Sequence, residues 1–228
     1  MSNAPRGSDG GSSPATHRVE LVDLQHTYQS GTPWARPAIH DLSLSFPVGD
    51  RALIIGANGS GKSTLAWILA GMLTPSGGRA TMGGQPLTES RDRIGFVVQH
   101  TRLQLLRPTV EGELNTFTDN ALDQLEALDA LGFDVMDRYR RIDELSIGQQ
   151  RRVGLAVQLA RRTPLLVLDE PMAGLDKQSR LALAAATDAL PSKTTVIIVT
   201  HDLEDSKPLG NRVLHLADGR LIDDTLSR

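Results

Sequence analysis

The glycine-rich octapeptide at residues 56–63, GANGSGKS, constrains this chain more than any other stretch. It follows the apolar run 52–55 and precedes the amphipathic stretch 64–72, an order that predicts a strand, a loop and a helix. Its glycines allow the backbone to curl so that successive N–H groups point inward, and the positive end of the helix dipole faces the same point. The sequence therefore predicts a phosphate-binding loop, in which Lys62 reaches the β- and γ-phosphates and the Ser63 hydroxyl ligates Mg²⁺.

Length and composition limit the number of domains and the kinds of partner. With 228 residues, 39% of them hydrophobic, the chain can bury a full core as one domain with a small inserted subdomain. The formal net charge of −3 provides no basic field, so no nucleic-acid partner is expected. The lack of cysteine excludes disulfides, thiolate metal sites and thiol catalysis. No apolar run reaches the length of a membrane span and no signal-peptide core opens the chain, so a membrane role would require a partner.

The N-terminal region divides into a tail and two strands. Residues 1–17 are rich in Ser, Gly, Pro and Asn, and we expect a disordered tail ahead of a folded domain at 18–228. Residues 19–28 and 39–46 alternate between apolar and polar, which predicts two strands before the phosphate loop. Tyr28 ends the first strand, and by its position alone it is better explained as an ordinary strand aromatic than as a ligand contact.

Three further apolar runs, at 94–98, 165–170 and 195–200, predict buried strands that end in polar residues. In open α/β sheets ligands bind at the carboxyl ends of the strands, so Gln99 and His201 are candidate site residues. A solvated loop glutamine and a structural histidine are the alternatives. Asp169 and Glu170 are adjacent carboxylates at a strand end, an arrangement that is costly unless a cation or a proton transfer uses it. In a phosphate-loop protein this predicts Asp169 as a Mg²⁺ partner and Glu170 as the base for an attacking water.

The helices are predicted from leucine spacing and capping residues. Residues 118–144 are predicted to be one helix, capped at Thr118 and Asp119 and burying Leu122, Leu125, Leu128 and Leu131. A second helix is predicted at 150–162, so that Ser146 and Gly148 could meet an anion at its N-terminus. A plain serine N-cap is the alternative. Residues 212–222 alternate around an Asp-Gly turn and predict a closing hairpin.

These segments, in this order, resemble the ATP-binding-cassette (ABC) ATPases across the chain after residue 17. The resemblance rests on the phosphate loop, the Gln99 loop, the signature 145–149 (LSIGQ), the strand 165–170, the Gly-Leu-Asp segment 174–176 and His201. It implies an α/β phosphate-loop fold with an N-terminal antiparallel β subdomain and an inserted helical subdomain at about 101–152. It also implies two cassettes facing each other, with each ATP between the phosphate loop of one and the signature of the other.

The resemblance further implies a role for each matching residue. Those expected to hold ATP and Mg²⁺ within one cassette are Tyr28 on the adenine, Gly56, Asn58, Gly59, Ser60, Gly61, Lys62, Ser63 and Thr64 on the phosphates, Gln99 and Asp169 at the metal, and Glu170 and His201 at the γ-phosphate. Those expected to act on the opposite cassette's ATP are Ser146, Gly148, Gln149 and Asp176. Ile147 stands where glycine is usual in the signature, which puts the rate of hydrolysis in question.

Within this family, the sequences of residues 99–104 and 108–114 resemble those of the energy-coupling-factor importers for vitamins or for cobalt or nickel. That resemblance implies an integral membrane transporter subunit as partner and a peripheral position on the cytoplasmic side of the membrane. Exporter or lipoprotein-extrusion relatives and a soluble regulatory ATPase are the alternatives. Residues 100–106 are expected to line the groove for the membrane subunit, through Leu103, Leu105 and Leu106. The alternative is that these leucines pack under the chain's own helices.

Overall fold

The fold consists of two sheets and a set of helices, seen in a computed structural model that describes residues 17–99 and 104–226. The strands within these residues are β1 (Val19–Tyr28), β2 (Arg36–Phe46), β3 (Arg51–Ile55), β4 (Gly77–Met82), β5 (Gln85–Pro86), β6 (Ile94–Val97), β7 (Leu165–Asp169), β8 (Thr195–Thr200), β9 (Arg212–Ala217) and β10 (Arg220–Leu226). The α-helices are α1 (Lys62–Leu69), α2 (Val110–Leu114), α3 (Ala121–Ala130), α4 (Ile147–Ala160), α5 (Lys177–Asp188) and α6 (Leu203–Ser206).

The two sheets differ in strand direction. The smaller one has the order β2-β1-β4-β5, and all its pairs are antiparallel. The larger one has the order β10-β9-β3-β8-β7-β6, with parallel pairs from β9 to β6 and the predicted hairpin at the β10 edge. The predicted α/β fold with an N-terminal antiparallel sheet is thus confirmed, and the carboxyl ends of β3, β6, β7 and β8 share one edge.

The larger sheet is covered by helices on both faces, because its parallel strands are apolar on both sides. Leu53, Val196 and Ile198 pack into a core shared with α3, α4 and α5. The alternate residues of the same strands pack into a second core with α1 and the smaller sheet. Both cores surround β3, which therefore presents the phosphate loop from a rigid support.

The predicted helix at 118–144 is wrong in its extent and its caps. Helix α3 begins after Asn120, whose side chain accepts the Leu122 N–H at 3.1 Å, and it ends at Ala130. Gly132 then takes a left-handed conformation at φ 75°, which stops the helix. Two short 3₁₀ segments, Val135–Tyr139 and Ile142–Glu144, complete the region. The leucine spacing runs up to Leu131, and Gly132 breaks the helix directly after it.

The predicted leucine stripe is only partly core. Leu128 and Leu131 are buried, whereas Leu122 is 71% exposed because it lies on the outer face of the first turn of α3. Helix α4 begins at Ile147, three residues before the predicted start, because Ser146 and Gln149 form a capping box. In the described ranges 17–99 and 104–226, we find no helix with the length and hydrophobicity needed to cross a membrane. Residues 1–16 of the predicted tail at 1–17 lie outside the described residues, and the bounds 101–152 of the helical subdomain remain a prediction.

Candidate active site

The phosphate loop connects β3 to α1 and depends on glycine at two close approaches. A Cβ on Gly56 would lie 2.1 Å from the Leu216 carbonyl oxygen, and a Cβ on Gly61 would lie 2.4 Å from that of Ala38. Gly61 also has φ 99°, in the left-handed region that favours glycine. It caps α1 with no side-chain hydrogen bond, so the first N–H groups of this helix remain available to an anion.

The closing hairpin supports the loop from the other side. The Gly219 N–H donates to the Ser60 carbonyl at 2.9 Å, and the Gly219 carbonyl accepts the His40 N–H at 2.9 Å. Gly219 occupies the Asp-Gly turn between β9 and β10 with φ 71°. One turn thus holds both the phosphate loop and β2, so the loop is shaped by contacts far away in sequence.

Lys62 spans the loop as a buried cation. Its Nζ donates to the Gly56 carbonyl at 2.8 Å and to the Ala57 carbonyl at 2.9 Å. Burial lowers the pKa of Lys62, and the neighbouring Glu170 and Asp169 oppose this effect. Backbone carbonyls are weak partners for an ammonium group, so a phosphate entering the loop offers Lys62 a stronger one.

Asp169 is a buried carboxylate without enough partners. Its Oδ1 atom is buried and has no hydrogen-bond partner among the described residues. Burial, and secondly the Glu170 charge, raise the pKa of Asp169 to about 6, against the opposing effects of Lys62 and of a hydrogen bond with Ser63. This oxygen and the Ser63 hydroxyl are ligands that suit Mg²⁺. Within the described residues no group of three or more His, Asp or Glu could hold a metal, but Mg²⁺ needs only one or two carboxylates when waters and phosphates complete its shell.

Glu170 begins the turn after β7 and faces the end of β8. Its Oε1 accepts the His201 backbone N–H at 3.0 Å and lies 2.6 Å from His201 Nδ1. Its Oε2 accepts the Thr200 hydroxyl at 3.2 Å. Glu170 has φ 51°, a left-handed value that is uncommon for a residue with a Cβ and points to a functional constraint. A carboxylate is thus fixed at the same sheet edge as Lys62.

These groups meet in one cleft of about 360 Å³. The structure brings together there the predicted residues Asn58, Gly59, Gly61, Lys62, Ser63, Thr64, Gln99, Glu170 and His201, with Pro37 and Ala38 of β2. Gln99 is exposed, and it also shares a neighbouring groove with Ser63 and Asp169. The carboxyl ends of four parallel strands therefore meet at this edge. Lys62, the Glu170 carboxylate and the His201 imidazole line the cleft, and the Asp169 carboxylate lines the neighbouring groove.

Tyr28 is tied to the phosphate helix although it is not among the described residues that line this cleft. Its hydroxyl lies 3.2 Å from Thr64 Oγ1, and its ring packs edge-on against His26 with the centroids 4.7 Å apart. The side chain is 43% exposed, so a ligand could reach it. Adenine stacking by Tyr28 remains a prediction.

The signature residues and Asp176 lie apart from the cleft and cap helices. Ser146 Oγ accepts the Gln149 N–H at 3.2 Å, as the serine N-cap alternative anticipated. A Cβ on Gly148 would meet no described atom within 4 Å, and Ile147 is 75% exposed. Asp176 caps α5 by accepting the Ser179 N–H at 2.7 Å, which lowers the pKa of Asp176. None of these residues is among the described residues lining the cleft of their own chain.

The structure adds residues that the sequence analysis missed. Pro37 and Ala38 line the cleft from β2, and only the pairing of β1 with β2 brings them there. Arg151 donates to the Glu170 carbonyl, and its position two residues beyond the signature was the only available signal. An apolar groove of about 430 Å³ is lined by Trp67, Met72, Phe96, Val98 and Gln104, next to Ser63, Gln99 and Asp169.

The leucines proposed for a partner groove have different surroundings. Leu105 packs partly buried against the core, as the alternative anticipated, and it is not among the described lining residues of the apolar groove. Leu106 is 84% exposed. Leu103 lies outside the described residues, and so do His100, Thr101 and Arg102. Leu105 lines a separate cleft of about 220 Å³ with Arg107, Pro108 and Ile142. A partner groove formed by these leucines therefore remains a prediction.

Known proteins resemble this chain over most of its length. A family model described as ABC transporter matches residues 39–173. An uncharacterized ABC transporter ATP-binding protein of Mycobacterium tuberculosis is 44% identical over 209 residues, covering 89% of this chain and 30% of the relative. The chain thus spans less than a third of the length of that relative. The energy-coupling factor transporter ATP-binding protein EcfA2 of Symbiobacterium thermophilum is 36% identical over 214 residues, covering 87% of this chain and 74% of the relative.

A solved structure shows the same architecture. It is the dimeric structure of a post-hydrolysis state of an ATP-binding cassette bound to ADP and Pi, with a TM-score of 0.79 and 27% identity. The likeness covers 92% of this chain and 99% of that one.

Proposed function

The chain belongs to the ABC transporter family, and from that premise we propose that it hydrolyses Mg-ATP as one of two facing cassettes and drives an integral membrane transporter. The observation that carries the proposal is the single cleft in which Lys62, Glu170 and His201 converge. We further propose an importer of the energy-coupling-factor type, for a vitamin or a transition-metal ion, acting at the cytoplasmic side of the membrane. Support for this class comes from the EcfA2 relative and from the Gln99–Gln104 segment.

The proposed roles follow from the contacts in the cleft. Lys62 exchanges its two backbone carbonyl partners for phosphate oxygens, and the free N–H groups of α1 bind the same anion. Ser63 and Asp169, with Gln99, would hold Mg²⁺, which neutralises phosphate charge when bound. Glu170 accepts the proton of the attacking water, and His201 orients the Glu170 carboxylate and faces the γ-phosphate. Tyr28 stacks on adenine from the edge of β1.

A second cassette completes the site in this proposal. The signature and Asp176 lie apart from the cleft of their own chain, so they would serve the ATP of a partner cassette. Exposed Ile147 and the open surface at Gly148 leave the start of α4 accessible for such a contact. The dimeric arrangement of the similar solved cassette supports this assignment.

The apolar groove beside Gln99 is the proposed contact for the membrane subunit. Trp67 and Met72 are about half exposed in it, and large apolar side chains that share a groove mark binding sites. Because Gln99 and Asp169 line the same groove, a segment bound there would sense the Mg²⁺ end of the ATP site.

Phosphate release tests the ATPase proposal. The purified chain should hydrolyse ATP only with Mg²⁺, and Lys62→Ala should remove turnover by weakening ATP binding. A Lys193→Ala variant, which alters a lysine outside the described cleft, should match the wild type. An active Lys62→Ala enzyme, or wild-type turnover that EDTA leaves unchanged, would contradict the proposal.

Copurification from detergent-solubilised membranes tests the partner. Trp67→Glu with Met72→Glu should release the chain from its membrane subunit, while the isolated chain still binds ATP. Leu181→Glu, at an exposed leucine of α5, is the matched control and should copurify normally. If the wild type recovers only soluble partners, the importer proposal fails and a regulatory ATPase replaces it.

A further inference from the structure

Arg151 joins helix α4 to the turn that carries Glu170. Its Nη2 atom donates to the Glu170 carbonyl oxygen at 2.6 Å. Its Nη1 atom lies 3.6 Å from the position that a Cβ on Gly174 would occupy. The guanidinium therefore lies along the turn between β7 and α5, bonded to the Glu170 carbonyl and close to Gly174.

The Glu170 backbone needs such support. Its φ of 51° is unfavourable for a residue with a Cβ and persists only where the surroundings impose it. The Glu170 N–H donates to the Val199 carbonyl at 2.8 Å, and the Glu170 carbonyl also accepts the Ala173 N–H at 3.3 Å. Arg151 adds the charged donor at this carbonyl, and hydrogen bonds to charged groups are the stronger ones. Its loss would loosen the residue whose carboxylate faces the cleft.

A contribution to folding stability does not by itself explain why an arginine occupies position 151. The residue is half-buried, and its Nε atom is buried with no hydrogen-bond partner among the described residues. Burial lowers the pKa of Arg151, and the Glu170 charge opposes this. Burying a guanidinium with an unsatisfied donor costs free energy that a neutral side chain would not cost. A role at the turn explains why a cation occupies this position.

Helix α4 also carries Ser146 and Gly148 at its start, within two turns of Arg151. We propose that Arg151 is a positioning residue that couples the start of α4 to the Glu170 carboxylate. When the start of α4 binds the ATP of the partner cassette, Arg151 then transmits the new position of the helix to the Glu170 turn. This inference depends on the proposed ATPase function and on Glu170 as its base.

Kinetics of matched arginine variants test the coupling. Arg152, the next residue of α4, donates to the Leu131 carbonyl at 2.9 Å and stacks over Phe133 at 5.1 Å, away from Glu170. Arg151→Gln should lower kcat by at least about tenfold with little change in KM, because small displacements of reacting groups are costly. Arg151→Lys should recover part of the loss. Arg152→Gln should cost thermal stability rather than kcat.

A double-variant measurement separates positioning from a general defect. If Arg151 acts through Glu170, Arg151→Gln should cause no further loss in a Glu170→Gln background. The inference would be overturned if the losses from Arg151→Gln and Glu170→Gln multiplied in the double variant. It would also be overturned if Arg152→Gln lowered kcat as much as Arg151→Gln does. An Arg151→Gln enzyme with wild-type kcat would overturn it as well.

Amide hydrogen exchange provides a test that needs no activity. Arg151→Gln should speed exchange in residues 170–176, whereas Arg152→Gln should speed it near residues 131–133. Unchanged exchange at 170–176 in Arg151→Gln overturns the inference whatever the activity. Faster exchange there in a chain that hydrolyses no ATP supports the contact and rejects the ATPase proposal, so the two failures are distinguishable.

Discussion

His201 Nδ1 lies 2.6 Å from Glu170 Oε1, the same oxygen that accepts the His201 backbone N–H at 3.0 Å. With the Thr200 hydroxyl on the other oxygen, the Glu170 carboxylate has three donors. The backbone contact cannot move without β8, but the exposed imidazole can. The His201 imidazole is therefore the contact that can adjust, while the other two donors keep the carboxylate in place.

Replacement of His201 tests this relationship. His201→Ala should lower kcat by on the order of 10²-fold and change KM for ATP little, since it removes an orienting group and leaves the phosphate loop intact. Steady-state phosphate release provides both constants. His17→Ala is the control, because His17 contacts Arg93 at 2.5 Å instead. A raised KM with unchanged kcat would instead indicate a ground-state contact with the γ-phosphate.

Glu170→Gln should keep ATP binding while turnover falls by on the order of 10²–10⁴-fold, because a positioned base contributes about that much. With hydrolysis blocked, a dimer with bound ATP should accumulate, which light scattering can detect. Unchanged turnover would remove Glu170 from the base role. Turnover lost together with ATP binding would point to a folding defect of the Glu170 turn.

Two substitutions at Tyr28 separate ring stacking from the hydroxyl contact. Tyr28→Ala should raise KM for ATP with less effect on kcat, because base–aromatic stacking contributes on the order of 1–3 kcal/mol. Tyr28→Phe keeps the ring and loses only the contact with Thr64, so KM should stay near the wild-type value. If Tyr28→Ala lowers only the melting temperature, Tyr28 is an ordinary strand aromatic.

The pair formed by Arg212 and Asp224 predicts a pH-dependent stability. Arg212 donates to both Asp224 oxygens, at 2.8 and 2.6 Å, and these bonds lower the pKa of Asp224. Because the folded state lowers the pKa of Asp224, its ion pair with Arg212 stabilises the fold fully at pH values above the ordinary pKa of 3.8. This stabilisation is lost as the pH falls through the pKa of the folded state.

Asp224→Asn should therefore lower the free energy of unfolding at pH 7 by about 0.5–1 kcal/mol, a value discounted for the partial exposure of Asp224. Below the folded pKa the variant and the wild type should unfold alike. Urea denaturation at both pH values measures this, with Asp119→Asn as an exposed control. A difference that persists in acid would show that the charge of Asp224 is not its source.

The edge of the sheet that carries the site was predictable, because each of its strands is an apolar run followed by polar residues. Lys62, Glu170 and His201 follow apolar runs, and parallel strands bring such ends together. The Asp-Gly pair at residues 218–219 likewise predicted the turn at Gly219. The resemblance to a family then supplied roles that position alone left open, as for Tyr28.

Contacts between distant segments were not predictable. Arg151 follows the signature in sequence, but only the packing of α4 against β7 places it at the Glu170 carbonyl. The break at Gly132 was hidden because the leucine spacing runs up to it, and a single glycine does not by itself identify a helix end. The groove at Trp67 needs the pairing of β6 with β7 behind it.

The position of Gly219 in the sequence affects when the site can form during translation. The N–H and carbonyl of Gly219 hold Ser60 and His40, so the phosphate loop takes its shape from a residue that follows it far along the sequence. A ribosome that has translated through His201 has already made Lys62, Glu170 and the imidazole, but not the turn that holds their loop. The nascent chain is therefore expected to gain its affinity for nucleotide only after the β9–β10 hairpin has emerged and its turn has bonded to the loop.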